Sequence, residues 1–238
     1  MALVAYALNV PVDPTVQINI DFFEQRFKEG YGIKYPETHV IRFYNFVLSH
    51  QLKIKSGNLL DFGCALGAHS RYFEDHGFTA FGCDSSETAI AKFRLLSPSM
   101  VDRTVVTPPM PDLVKTFPMQ FDVVFANQVL AYFPNQDINL LVSQFHRILK
   151  PGGVLFASMY PRSNGIVECV TGHKGPEHEM SEITLEGRLK GLEYVNFKEE
   201  SDLAQLFRPF DALHTGLASI RFGDYGGNDQ VLYAGRKV

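Results

Sequence analysis

Leu59-Leu60-Asp61-Phe62-Gly63-Cys64-Ala65-Leu66-Gly67-Ala68-His69 is the stretch that sets the reading of this chain. Two apolar residues lead into an acid, then into a turn of small residues. A helix is predicted over 67–76 and stops at Gly77. The run therefore encodes a strand, a tight loop and a helix N-terminus. Gly63, Ala65 and Gly67 present little or no side chain, so backbone N–H groups can approach a ligand closely. An open helix N-terminus favours a negatively charged group.

Working outward, the same texture repeats. Residues 58–62 read as a first strand and 78–83 as a second, followed by a helix over 88–96 that Ser85-Ser86-Glu87 caps. Residues 104–106 form a short third strand, with the proline-rich loop 107–112 behind it. Residues 121–125 are a nearly continuous apolar run, as suits a strand buried on both faces. Asp137 starts a helix with Ile138, Leu141, Val142, Phe145 and Leu149 on its core side, and Lys150-Pro151-Gly152-Gly153 stops it. Residues 154–160 read as a fifth strand. A helix over 199–208 and strands over 211–222 and 230–236 complete the chain, with a glycine loop over 223–228 between the last two. Alternating strands and helices imply an α/β fold: a Rossmann-like doubly wound sheet, mostly parallel, with an antiparallel C-terminal hairpin strand. In such sheets ligands bind beyond the carboxyl ends of the strands, where strand order reverses.

Two parts stand outside this pattern. Residues 1–56 read as an N-terminal helical arm or lid ahead of the domain at 57–238. Residues 1–20 have no clear periodicity, helices are expected over 21–29 and from Tyr35-Pro36-Glu37-Thr38 onward, and Glu37 suits a first helical turn. Residues 161–198, rich in Gly, His and Glu, read as an insertion with some strand near 193–197. Long connections of this kind are often functional, and this one is expected to shape a substrate site.

Composition narrows the partners. The chain has 238 residues and a net charge of −4, with no Lys/Arg run, so a nucleic-acid surface is not favoured. Three cysteines, none in a Cys-x-x-Cys pair, suit a reducing compartment, and Cys64 and Cys83 fall at expected buried strand ends. Residues 1–12 lack a basic n-region, and no run approaches the ~18 apolar residues of a membrane span. The expectation is a cytoplasmic protein with no membrane contact.

The loop has two cofactor readings. A dinucleotide fingerprint is G-x-G-x-x-G after the first strand, with an acid about twenty residues on. Here the spacing is G-x-A-x-G. Three further stretches decide the matter: Phe78-Thr79-Ala80-Phe81-Gly82-Cys83-Asp84-Ser85-Ser86, Phe121-Asp122-Val123-Val124-Phe125-Ala126-Asn127-Gln128, and Leu149-Lys150-Pro151-Gly152-Gly153-Val154-Leu155. Together with the opening stretch, in this order and spacing, they resemble the class I S-adenosylmethionine-dependent methyltransferases over residues 58–160.

That resemblance implies a site. Asp61, Gly63, Cys64, Ala65 and Gly67 would cradle the methionyl part, with Asp61 meeting the ligand ammonium or ordering the loop. Asp84, with Ser85 beside it, would accept both ribose hydroxyls. Asn127 and Gln128 would stand at the methionyl end, and Arg42 would reach the methionyl carboxylate from the arm as a fork. This chain departs from the pattern at Ala65, where the family usually has Gly, so the loop is expected to take a conformation alanine accepts. It also lacks the acid after the third strand, which leaves adenine to Pro109 and Met110. His69 reads as a polar contact or cap. Phe22, Phe23, Phe27, Tyr31 and Tyr35, with Tyr132-Phe133 and the insertion, are expected to build the acceptor side. His173 and His178, with Glu177 and Glu179, do not make a metal set by spacing. The implied activity is methyl transfer to an O or N atom of a small molecule, with no catalytic base assigned. The alternative is a non-catalytic S-adenosylmethionine-binding protein or partner subunit of the same fold.

Overall fold

The computed structural model describes residues 3–174, 179–186, 190–221 and 227–238. Its centre is a seven-stranded sheet in the order β3-β2-β1-β4-β5-β10-β9. The strands are β1 (Gly57–Phe62), β2 (Phe78–Asp84), β3 (Thr104–Val106), β4 (Phe121–Asn127), β5 (Leu149–Met159), β9 (Asp211–Ala218) and β10 (Gln230–Arg236). β1 to β5 pair in parallel, and β10 runs antiparallel to both β5 and β9. Strand order reverses between β1 and β4, so their carboxyl ends open a crevice.

Period-2 alternation divides the apolar residues between the two faces. Leu60 and Phe62 of β1, Val124 and Ala126 of β4, and Leu155 and Ala157 of β5 enter one core. Leu59, Val123 and Phe125, and Val154 and Phe156, enter the other. The first core is closed by α5 (Leu113–Thr116), α6 (Asn135–Ile148) and α7 (Glu200–Leu206), through Leu113, Leu141, Phe145 and Leu203. The second is closed by α3 (Ala68–Asp75) and α4 (Glu87–Leu96), through Phe73, Ile90 and Phe93. Helices on both faces explain why β1 and β4 are apolar almost throughout.

The N-terminal residues pack over the crevice. α1 spans Pro14–Lys28, beginning well before the expected helix over 21–29. The Asp13 carboxylate caps it by accepting from Thr15 N–H at 2.8 Å. Val16 and Ile20 extend the Phe23 and Phe27 stripe back into its start, where the polar Thr15 and Asn19 are buried beside them. Asn19 donates to the carbonyls of Tyr132 and Tyr194 and accepts from Tyr194 N–H. α2 (Thr38–Arg42) continues as a wider π-helical segment, Phe43–Gln51, that buries Phe43 and Leu48. The insertion forms a three-stranded antiparallel sheet of β6 (Val170–Lys174), β7 (Met180–Leu185) and β8 (Gly191–Val195). α1 lies against β8, where Phe22 crowds Gly191. Most of the expected glycine loop over 223–228 lies outside the described residues.

Candidate functional site

The crevice holds a cavity of about 300 Å³ at the carboxyl ends of β1, β2 and β4. One wall is the loop after β1. Gly63 N–H and Cys64 N–H both donate to Cys83 O, at 2.8 and 3.0 Å, and Gly67 N–H donates to Cys64 O at 2.8 Å. Gly67 has φ +74°, and a Cβ there would lie 2.4 Å from the Phe93 ring. Only glycine meets both demands. Ala65 does not take the relaxed conformation expected of it: its φ is +46°, in the left-handed region. Its N–H donates to Asp84 Oδ2 at 2.9 Å, and that bond holds the turn against the strain.

Asp84 ends β2 and faces the cavity. Its Oδ1 accepts from Ser86 N–H at 2.9 Å. Burial pushes its carboxyl up, against the backbone N–H bonds of Ser86, Ala65 and Ser85 that pull it down. It is not the cap of α4; Ser86 Oγ does that, accepting from Ala89 N–H at 3.0 Å. The Asp84 oxygens are thus held by backbone N–H donors, and two carboxylate oxygens with about four acceptor sites between them keep capacity for a ligand hydroxyl. Ser85, Thr107, Pro108 and Pro109 line the cavity beside it.

At the end of β4, Gln128 is a second strained residue, with φ +54°. Asn127 and Gln128 both turn their amide nitrogens to one carboxylate, Glu37. Asn127 Nδ2 donates at 2.8 Å and Gln128 Nε2 at 2.8 and 2.9 Å, and Gln230 Nε2 from β10 adds a bond of 3.2 Å. The amides are oriented from behind. Ser158 Oγ and His39 Nε2 donate to Asn127 Oδ1, and Tyr160 O–H donates to Gln128 Oε1. His69, in the first turn of α3, lies 3.7 Å from Glu37 through Nε2, and that buried nitrogen has no hydrogen-bond partner. Burial holds its pKa down at about 4, against the pull of Glu37, so the ring is neutral at pH 7.

The other half of the cavity is aromatic, with Phe23, Phe27, Tyr31, Tyr132, Phe133 and Tyr160. Phe23 and Tyr132 meet edge to face at 4.8 Å between centroids. Burial pushes the hydroxyls of Tyr132 and Tyr160 above the ordinary tyrosine range.

Gly63, Cys64, Ala65, Asp84, Ser85, Pro109, Asn127 and Gln128 thus stand around one cavity, as the sequence implied. Other expected residues do not. Arg42 is exposed and stacks over the Phe46 ring at 5.1 Å, because α2 turns it away from the cavity. Met110 is buried in the core, and its backbone carbonyl accepts from Leu8 N–H. Asp61 is buried behind the loop, where Ser70 Oγ donates to it and ties the end of β1 to the first turn of α3. Burial pushes its carboxyl up to about 7. Gly67 shapes the turn without lining the cavity. Tyr35 is exposed and Phe22 packs on Gly191. Glu37 and Gln230 were not foreseen as site residues.

Among the described residues, no group of three or more His, Cys, Asp and Glu side chains is placed to hold a metal. His173 meets Ser181 across the β6–β7 pair and Glu179 accepts from Asn135 N–H, while Glu177 and His178 lie outside the described residues. Burial raises the thiols of Cys64 and Cys83, which behave as core groups.

Residues 60–155 match the family model described as a methyltransferase domain. Over that stretch the chain is similar to class I methyltransferase domains. Over 119 residues the chain is 30% identical to the ubiquinone biosynthesis O-methyltransferase of Pseudomonas syringae pv. tomato, covering 49% of this chain and 50% of that protein. It is 30% identical over 105 residues to the carboxy-S-adenosyl-L-methionine synthase of Vibrio atlanticus, covering 42% and 43%. The chain spans about half the length of the curated relatives it matches. Among solved structures, the 1,6-didemethyltoxoflavin-N1-methyltransferase of Burkholderia thailandensis, bound to 1,6-didemethyltoxoflavin and S-adenosylhomocysteine, aligns with a TM-score of 0.65. The identity is 18%, covering 98% of this chain and 95% of that one. The magnesium protoporphyrin IX methyltransferase of Synechocystis with bound S-adenosylmethionine aligns at 0.61, with 16% identity over 97% and 100%. The likeness to these two is one of fold, along nearly the whole chain.

Proposed function

We propose that this protein is an S-adenosylmethionine-dependent methyltransferase that methylates an O or N atom of a small molecule. The observation that carries the reading is the Asp84 carboxylate at the end of β2. It is tied to the strained loop residue Ala65 and keeps acceptor capacity facing the cavity. The cavity is lined by two carboxylates, Asp84 and Glu37, and by no Lys or Arg among the described residues. A ligand with two cationic centres and a ribose diol fits that donor and acceptor set. The orphaned Nε2 of His69 is a further polar atom that such a ligand satisfies.

In this reading Asp84 accepts the ribose hydroxyls. Backbone around Gly63 to Ala65 holds the methionyl part. Pro109, with Thr107 and Pro108, replaces the missing acid at the adenine by apolar and backbone contact. Asn127 and Gln128 act at the methionyl end through their grip on Glu37. When bound, the cofactor supplies a methyl group on a sulfonium, delivered by in-line displacement to an acceptor atom. The chain's own contribution is alignment and exclusion of water. Residues 1–56 serve as the lid, since α1 and Glu37 bring Phe23, Phe27 and Tyr31 over the crevice. The aromatic half of the cavity receives the acceptor. The net charge of −4 and the lack of a lining cation support a small molecule over a nucleic acid. The buried Cys64 and Cys83 thiols support a reducing, cytoplasmic setting, and no helix among the described residues is long and apolar enough to cross a membrane.

The test is transfer itself. The protein is incubated with S-adenosylmethionine carrying a labelled methyl and with the small-molecule fraction of a cell extract. Label in a new small molecule, with S-adenosylhomocysteine formed in equal amount, supports the proposal. Binding of both sulfur nucleosides with no turnover on any fraction supports the non-catalytic alternative.

A further inference from the structure

We infer that Glu37 and His69 form the subsite for the cofactor's α-ammonium group, so that the N-terminal segment reads the amino-acid end directly. This deepens the cofactor reading above and rests on it. Glu37 holds the N-cap position of α2, where an acidic side chain ordinarily folds back on the helix's own N–H groups. It makes no such bond. Its carboxylate reaches instead across the crevice to amides on β4, just after β4 and on β10.

Three features of this arrangement are specific. The first is that every hydrogen-bond donor to Glu37 is neutral, and no Lys or Arg lines the cavity among the described residues. The carboxylate therefore lacks a full counter-charge. The second is the neighbour. His69 Nε2 is buried, unpartnered and 3.7 Å from Glu37 Oε2, too far for a hydrogen bond between them. In the tautomer with hydrogen on Nδ1, Nε2 offers a lone pair, so an acceptor without a donor stands beside a carboxylate held only by neutral amides, and a cationic donor between them serves both. His39, the other imidazole near Glu37, is already committed to Asn127 Oδ1. The third is the chemistry of the ligand. Of its two cationic centres, the sulfonium has no hydrogen to donate, whereas a primary ammonium has three. Two adjacent acceptors, one of them charged, select the ammonium.

The experiment uses calorimetric titration of the full chain with three nucleosides. S-adenosylmethionine and S-adenosylhomocysteine both carry the ammonium; 5′-methylthioadenosine lacks the whole amino-acid end. In Glu37→Gln both amino-acid-bearing ligands are expected to weaken by at least about 10-fold, the scale of losing a hydrogen bond to a charged group. 5′-Methylthioadenosine is expected to bind the variant and the wild type alike. His69→Phe, which keeps a flat ring against Phe125 but removes the acceptor, is expected to show the same ordering with smaller losses. Three results overturn the inference: unchanged S-adenosylhomocysteine binding in Glu37→Gln, an equal loss for 5′-methylthioadenosine, or a loss confined to S-adenosylmethionine, which assigns Glu37 to the sulfonium. A wild type that binds none of the three overturns the cofactor reading itself, so the two failures are distinguishable.

Discussion

Ala65→Gly tests the strained loop at its weakest point. Ala65 holds φ +46°, and an L-residue in that region costs roughly 1–2 kcal/mol relative to the right-handed one. Glycine removes that cost but adds an unfolded-state entropy loss of roughly 0.5–1 kcal/mol. At the midpoints of those ranges the balance is a gain of about 0.75 kcal/mol. For a chain of this size that raises the melting temperature by about 1–4 °C. The bond that fixes the turn, from Ala65 N–H to Asp84, uses only backbone and survives the change. Affinity for S-adenosylhomocysteine is therefore expected to stay within about 2-fold of wild type, or to improve slightly, an effect under about 0.5 kcal/mol. Thermal and urea unfolding with calorimetry on the same preparation measure both quantities. A loss of stability above about 1 kcal/mol refutes the strain argument, because it means the Ala65 methyl makes packing contacts that outweigh its φ. A 10-fold loss of affinity refutes it as well.

Two further substitutions probe the same wall. Gly67→Ala places a Cβ 2.4 Å from the Phe93 ring at φ +74°, and a loss of about 2–3 kcal/mol is expected in urea unfolding; a neutral result means the Phe93 ring moves freely. Asp61→Asn is expected to change the pH dependence of stability. Burial raises the folded-state pKa from 3.8 to about 7, so between those values the folded chain keeps a proton that the unfolded chain has released. The contribution is fully present below 3.8 and is lost as pH rises through 7. The wild type should therefore lose stability relative to Asp61→Asn by about 2–3 kcal/mol between pH 5 and about pH 8. A stability difference that stays flat across that range removes the assignment.

The parallel sheet was legible because each of its central strands announces itself locally. β1, β2 and β4 are short, largely apolar runs ending in turn chemistry, and the loop, Asp84 and the Asn127-Gln128 corner are contiguous with them in turn. What was illegible depends on distant side chains meeting. α1 was partly missed because the buried polar residues Thr15 and Asn19 mask the stripe of Val16 and Ile20 that continues to Phe23 and Phe27. Glu37 reads in sequence as ordinary helix-start chemistry. Its role comes from three amides 90, 91 and 193 residues away. Arg42 was the more obvious charge in the same segment, yet its position on α2 points it at Phe46. Met110 failed for a similar reason: one residue past Pro109 the chain dives into the core. The Ala65 conformation was misread because local preference was applied where the Asp84 bond overrides it.

Calorimetric titration of S-adenosylhomocysteine into the wild type and Asp84→Ala tests the central claim most directly. The account predicts one site per chain in the wild type, with a dissociation constant in the range of about 1 μM to 1 mM. It predicts at least about a 100-fold loss in Asp84→Ala, the scale of two charge-assisted hydrogen bonds to the ribose. No heat and no thermal shift with the wild type, or unchanged affinity in Asp84→Ala, contradicts it.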